Sequence, residues 1–424
     1  MNSESVNLNR IYIEKLHVKN FRQFDELNVS FNQGFNFIAG PNGCGKTSIL
    51  SAIAHSISTG SFGYSRFKTG AEVWTDMNVQ GAHVRIGFGS GAIRDSGYRN
   101  ATYVSHVDPP VEQGRKVVPI HQSEQALTGA LPLFIGASRS IKYKKIQGMT
   151  REPTLNENNR TYVNSGNSAL YGDKETNIKQ WIINRDFLIE KDWAEEERAN
   201  WNHMLGLLPE IGPFDSNFSY IKTGRDLEPE FSLYGQSCYL EELSSGFQAV
   251  LSIIANIIEW IEGTRPEGMR SVIAASGTVL IDELDLHLHP EWQFTLRNGL
   301  EKLFPNIQFI VTTHSPHILA SAKQSEVIVM PKIQGGETYN LQPTNTMFSG
   351  WNTDQILADV MGVQSLENKQ YAQLIATAFE HVEKHNPEAL QLSIDDLLRV
   401  THPNDVIVPV LQAKLASMVA MQND

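Results

Sequence analysis

Residues 40–47, Gly40-Pro41-Asn42-Gly43-Cys44-Gly45-Lys46-Thr47, fit the spacing G-x-x-x-x-G-K-[ST]. The glycines let backbone amides turn inward onto phosphate oxygens, and a helix starting beside Lys46 adds positive potential from its N-terminus. In that arrangement Gly40, Pro41, Asn42, Gly43, Cys44, Gly45 and the following Ser48 surround the phosphates of a nucleotide. Lys46 reaches the β and γ phosphates and Thr47 ligates Mg²⁺. ATP and Mg²⁺ are the expected ligands.

A second group of candidates lies far downstream. The apolar run 278–281 ends in Asp282 and Glu283. A strand delivering these carboxylates to one edge puts Asp282 at the metal and lets Glu283 polarise the attacking water. A lone Asp-Glu pair is often only a solvated strand end, but a phosphate loop in the same chain favours the catalytic reading. Ser244, Ser245 and Gly246 open a long apolar helix, where free amides and hydroxyls suit an anion. Taken alone they are an ordinary helix cap. The apolar run 307–312 leads to His314, at the edge where open sheets bind ligands and a histidine can meet a γ phosphate. His287 and His289 form an H-x-H pair, but no further ligand follows at zinc spacing, so no metal is assigned to them.

The elements needed to hold these groups are legible around them. Residues 11–21 and 27–31 roughly alternate apolar and polar side chains, as two antiparallel half-buried strands do, and 35–39 is a buried strand entering the loop. Residues 47–57, 246–261 and 291–303 have helical spacing. Residues 60–130 read as irregular β-structure, 148–176 as loop and 177–208 as one or two helices. The fold class is α/β, with a mostly parallel or mixed central sheet, an antiparallel β subdomain, an inserted helical subdomain and a helical tail. Expected boundaries are 1–145 and 241–345 for the two parts of the head, 146–240 for the insert and 346–424 for the tail.

Composition excludes several classes. A chain of 424 residues, 41% hydrophobic and 19% charged, builds a substantial core. Two cysteines make no disulfide framework, and the start MNSESVNLNR has no signal-peptide character, so a cytoplasmic protein without a membrane span is expected. The net charge of -12 argues against sequence-blind nucleic-acid binding without closing it. Residues 351–424 carry ten acidic against four basic side chains, half of that excess.

Together these motifs resemble the ATP-binding-cassette ATPases, in the branch of SMC-type heads and overcoming-lysogenisation-defect ATPases. The stretches ELDLHLHP, THSP and WNTDQIL are similar to bacterial stand-alone ATPases such as the PtuA-like proteins of Septu anti-phage systems. The resemblance implies a homodimer, or a higher assembly of dimers, in which residues 244–246 contact the γ phosphate held by the other chain. It places Asp285 in the segment crossing that interface, Arg22 near the nucleotide, and Arg139 of the stretch PLFIGASR in the nucleotide's surroundings. It also implies a separate effector protein, a nuclease, since this chain has no nuclease pattern. The signature reads LSSGFQ where many members carry LSGGQ or LSSGEQ, so Phe247 departs from the family pattern. A DNA-binding repair ATPase of the SMC type is the alternative function.

Overall fold

The computed structural model describes residues 10–94, 102–171, 177–363, 369–402 and 405–422. The first nine residues and 172–176, on which readings of the chain start and of the polar stretch bear, lie outside that set. The chain divides into two compact units, Met1–Gly362 and Val363–Asp424.

The centre of the first unit is a five-stranded sheet in the order Val327–Val329, Phe35–Ala39, Ile307–Thr312, Gly277–Ile281, Leu133–Ile135. All neighbours are parallel. Phe35–Ala39, Gly277–Ile281 and Ile307–Thr312 are buried at every position, as strands covered on both faces must be. Parallel strands end at one edge, so the loop after Ala39, the carboxylates after Ile281 and the turn after Thr312 emerge together.

A second, six-stranded sheet runs Thr338–Leu341, Phe24–Ser30, Ile11–Phe21, Phe67–Val79, Ala82–Phe88, Lys116–Pro119. Its four middle strands are antiparallel, while both edge strands join in parallel. Fully buried Gln308 joins the two sheets. Its amide donates to the carbonyl of Ile13 and its oxygen accepts from the Ile13 amide, both at 2.8 Å.

Three stretches differ from the sequence expectation. The 60–130 region contains a 13-residue strand, Phe67–Val79, held by its long ladder with Ile11–Phe21, which shifts register twice. Within 148–176, expected as loop, Leu155–Asn164 and Gly166–Leu170 are helical, the first started by a capping box between Thr154 and Glu157. The insert holds the expected helices Ile178–Leu188 and Glu195–Ile211 but also a three-stranded sheet over Ser219–Thr223, Pro229–Leu233 and Gln236–Tyr239.

The boundary between the two compact units, 362/363, falls within the stretch 346–424 read as the tail. Helix Thr353–Asp359 belongs to the first unit and buries Ile356. The second unit packs Lys369–Glu383, Pro387–Val400 and Ile407–Gln422 around Ala378, Leu390, Ile394, Leu397, Val408 and Leu411. No helix among the described residues is long and apolar enough to cross a membrane.

Candidate nucleotide site

The phosphate loop leaves the buried strand Phe35–Ala39 and enters helix Lys46–Ile57 at once. Gly45 caps that helix with φ 101°, a left-handed conformation open to glycine, and a Cβ there would meet Gln23 at 1.9 Å and Phe24 at 2.6 Å. Lys46 is buried, and its Nζ donates to the carbonyls of Gly40 at 2.9 Å and Pro41 at 3.1 Å. Burial lowers its pKa, opposed by Cys44 and by Asp282, Asp285 and Glu283. Its ammonium thus lies against the loop it would share with phosphates.

Across the sheet, Thr47 Oγ1 donates to both oxygens of Asp282, at 3.0 and 3.1 Å, although 235 positions separate the two residues. Thr312 Oγ1 donates to Asp282 Oδ1 at 2.5 Å and accepts the Glu283 amide at 2.7 Å. A carboxylate and a hydroxyl at the mouth of a phosphate loop are oxygen donors of the kind Mg²⁺ takes, so these residues fit the ion. Glu283 is held at φ 50°, with its side chain half-buried. A non-glycine residue in that region is sustained only where its surroundings fix it.

Asp285 accepts Thr313 Oγ1 at 2.6 Å and the His314 amide at 3.0 Å through one oxygen, Oδ1. Within the chain this carboxylate therefore ties the turn after Glu283 to the strand end bearing His314. Burial, with Lys46 next, holds the His314 pKa below the ordinary value, which favours the neutral imidazole. Arg22 lies along the phosphate helix, donating to Ser48 at 3.2 Å, Ser51 at 3.1 Å and Ser65 at 2.8 Å, and also bonding Tyr171. These hydroxyls and Tyr171 hold its guanidinium on the flank of the helix.

Ser244 caps the 20-residue helix Ser245–Thr264 without a side-chain capping bond, and Ser244 and Ser245 are exposed. Gly246 packs against the turn after Glu283; a Cβ there would lie 2.9 Å from the His287 carbonyl and 3.3 Å from Trp292. Phe247, the departure from the family pattern, points inward, with ring centroids 4.8 Å from Phe218 and 4.5 Å from Trp292. It is a core residue, and the two serines remain outside. His287 and His289 are exposed, and no metal-holding cluster of His, Cys, Asp or Glu occurs among the described residues.

Two residues make bonds at the site that their sequence context did not announce. Thr312, which holds both Asp282 and Glu283, reads only as the last residue of an apolar strand. Gln248 closes the LSSGFQ signature, where no partner is legible for it, yet its amide donates to the carbonyls of Leu243 and Glu241 while its oxygen accepts the Ile141 amide at 3.0 Å.

Comparison with known proteins places the chain in a family. Residues 35–320 match the family described as "AAA domain, putative AbiEii toxin, Type IV TA system". Septu protein PtuA of Bacillus thuringiensis is 28% identical over 412 residues, 96% of this chain and 98% of that protein. A Vibrio cholerae protein named Retron Vc95 probable ATPase is 32% identical over 150 residues, 35% of this chain and 29% of its own length. The SMC head domain from Thermotoga maritima aligns with a TM-score of 0.44 and 14% identity, covering 79% of this chain and 99% of that one. With its phosphate loop, paired carboxylates and signature helix in one α/β head, the chain belongs to this AAA-domain family, as an ATP-binding-cassette-type ATPase related to PtuA.

Proposed function

We propose that the chain is an ATP-hydrolysing switch, two copies of which close around two ATP molecules and thereby regulate a separate effector, a nuclease, in bacterial anti-phage defence. One observation carries the reading. The phosphate loop and carboxylates are brought together within one chain, through Thr47 and Asp282, while Ser244 and Ser245 stand exposed at a helix start without a side-chain capping bond. A half-site built on one chain, together with an exposed pair of serines at a helix start of the same head, supports completion of the site by a second copy.

In this reading Lys46 and the loop amides bind the β and γ phosphates. Thr47 and Asp282 would hold a bound Mg²⁺, which would neutralise phosphate charge there. Glu283 accepts a proton from the attacking water, and neutral His314 donates a hydrogen bond toward the γ phosphate. Residues 244–246 of the second chain complete the site. The names of the Septu and retron relatives support the defence role, and we assign effector and assembly surfaces to the insert and the Val363–Asp424 unit.

The test is sedimentation with ATP and Mg²⁺. Glu283→Gln should retain ATP and accumulate as a dimer, and adding Ser245→Arg should return it to monomer with ATP still bound. A Glu283→Gln protein that stays monomeric, or hydrolyses ATP at the parental rate, overturns the reading.

A further inference from the structure

Arg139 has only 2% of its surface exposed. Its Nε donates to the Gly136 carbonyl at 2.9 Å, and Nη2 donates to the carbonyls of Asp282 and Glu283, the latter at 2.8 Å. Its Nη1 is buried and has no hydrogen-bond partner among the described residues. Desolvation pushes the guanidinium pKa down to about 10, against the pull of Asp282, Asp285 and Glu283. A buried guanidinium is costly unless its donors are used. Here two of its nitrogens are spent on backbone, at the residues that carry the catalytic carboxylates.

The segment after Arg139 leads to the signature. The amide of Ile141 donates to Gln248 Oε1, and Gln248 Nε2 donates in turn to the carbonyls of Leu243 and Glu241, just before Ser244. A path of hydrogen bonds joined by the covalent segment 139–141 therefore runs from the loop preceding the signature serines, through Gln248, to the backbone of Glu283, itself held at positive φ.

Resting on the two-chain reading above, we infer that Arg139 and Gln248 are positioning residues that link each protomer's signature segment to its own Glu283. Closure of residues 244–246 onto the partner's nucleotide then sets the Glu283 backbone in the other active site, and the two hydrolysis events become coupled. Arg139 acts through the carbonyls of Asp282 and Glu283, while Gln248 fixes residues 139–141 relative to the helix start.

The experiment compares the parent with Arg139→Met, Arg139→Lys and Gln248→Met, each full length. Readouts are ATP affinity, kcat, KM and the Hill coefficient for ATP, with sedimentation alongside. Misplacing a general base by about 1 Å costs on the order of 10²-fold in rate. The expected result for both Met variants is therefore a kcat lowered about 10- to 100-fold, ATP affinity within about threefold of the parent, and a Hill coefficient reduced toward 1. Arg139→Lys, which keeps a charged donor, should recover part of kcat. Parental kcat and Hill coefficient in both Met variants overturn the inference, as does a parallel fall in kcat and ATP affinity. Should Arg139→Met fail to fold, Gln248→Met and Arg139→Lys decide on the same readouts. A parent that stays monomeric with ATP and Mg²⁺ overturns the two-chain reading and the coupling with it; a dimerising parent whose Gln248→Met variant keeps its Hill coefficient overturns the coupling alone.

Discussion

Thr312→Val isolates one hydroxyl at the centre of the site. Valine keeps the branched shape, so no cavity opens, but the bond to Asp282 Oδ1 at 2.5 Å and the acceptor for the Glu283 amide at 2.7 Å both vanish. A hydrogen bond to a charged group contributes about 1.5–3 kcal/mol and a neutral one about 0.5–1.5, so the combined loss is about 3 kcal/mol. The unit Met1–Gly362 unfolds with an entropy of about 2.1 cal/mol/K per residue, or ~0.76 kcal/mol/K, so its midpoint should fall by about 4 °C. All seven tryptophans lie within that unit, so their fluorescence follows it alone. Thr312→Ser keeps the hydroxyl and loses a methyl worth about 0.8 kcal/mol, a shift of about 1 °C. Because Lys46 and Thr47 are untouched, ATP affinity should hold while kcat falls at least about tenfold through loss of the Glu283 anchor. Equal midpoint shifts in the Val and Ser variants, or an unchanged kcat in Thr312→Val, would refute the reasoning.

Two further outcomes follow from packing and titration. Gly246→Ala pits a gain of about 1 kcal/mol in helix propensity against about 1–3 kcal/mol for pressing a Cβ to 2.9 Å from the His287 carbonyl. Thermal unfolding should therefore show net destabilisation of about 1 kcal/mol, and a raised midpoint would mean the turn after Glu283 yields. Fully buried His55, bonded to Ser65 at 2.6 Å and Asn167 at 3.2 Å, has its pKa held well below 6.5 by desolvation and then by Arg22. Its neutral form is favoured in the folded state, so its contribution is present above pH 6.5 and is lost as pH falls below that value toward the folded pKa. The slope from this residue is about 1.4 kcal/mol per pH unit. Urea midpoints between pH 7.5 and 5.5 should fall less steeply for His55→Gln than for the parent; parallel curves would exclude His55 as the source.

The core of the site was legible because its signals are local. A buried strand in a parallel sheet is a continuous apolar run, and each of Phe35–Ala39, Gly277–Ile281 and Ile307–Thr312 is followed by residues of the candidate site. What stayed hidden depends on distant partners. Phe67–Val79 is shaped by its ladder with Ile11–Phe21, and its Lys-Thr-Gly start obscures the alternation. Thr312 and Gln248 act through bonds to residues 30 and 107 positions away, a relation that no local pattern carries. The helix Leu155–Asn164 did leave a trace, since Thr154 and Glu157 have capping-box spacing, but its polar composition outweighed it.

The inward turn of Phe247 bears on how relatives of this chain are found. Its ring fills space between Phe218 and Trp292, and Gly246 ahead of it is fixed by backbone contact. Substitution at position 247 is therefore constrained by the volume of an aromatic cluster, and is free of any demand from phosphate chemistry. Pattern searches that require a polar residue after the signature glycine will discard such chains. A search that keeps the two serines and the glycine, and allows the next position to vary together with positions 218 and 292, would retrieve them. Covariation among those three sites is the genomic trace that this packing should leave.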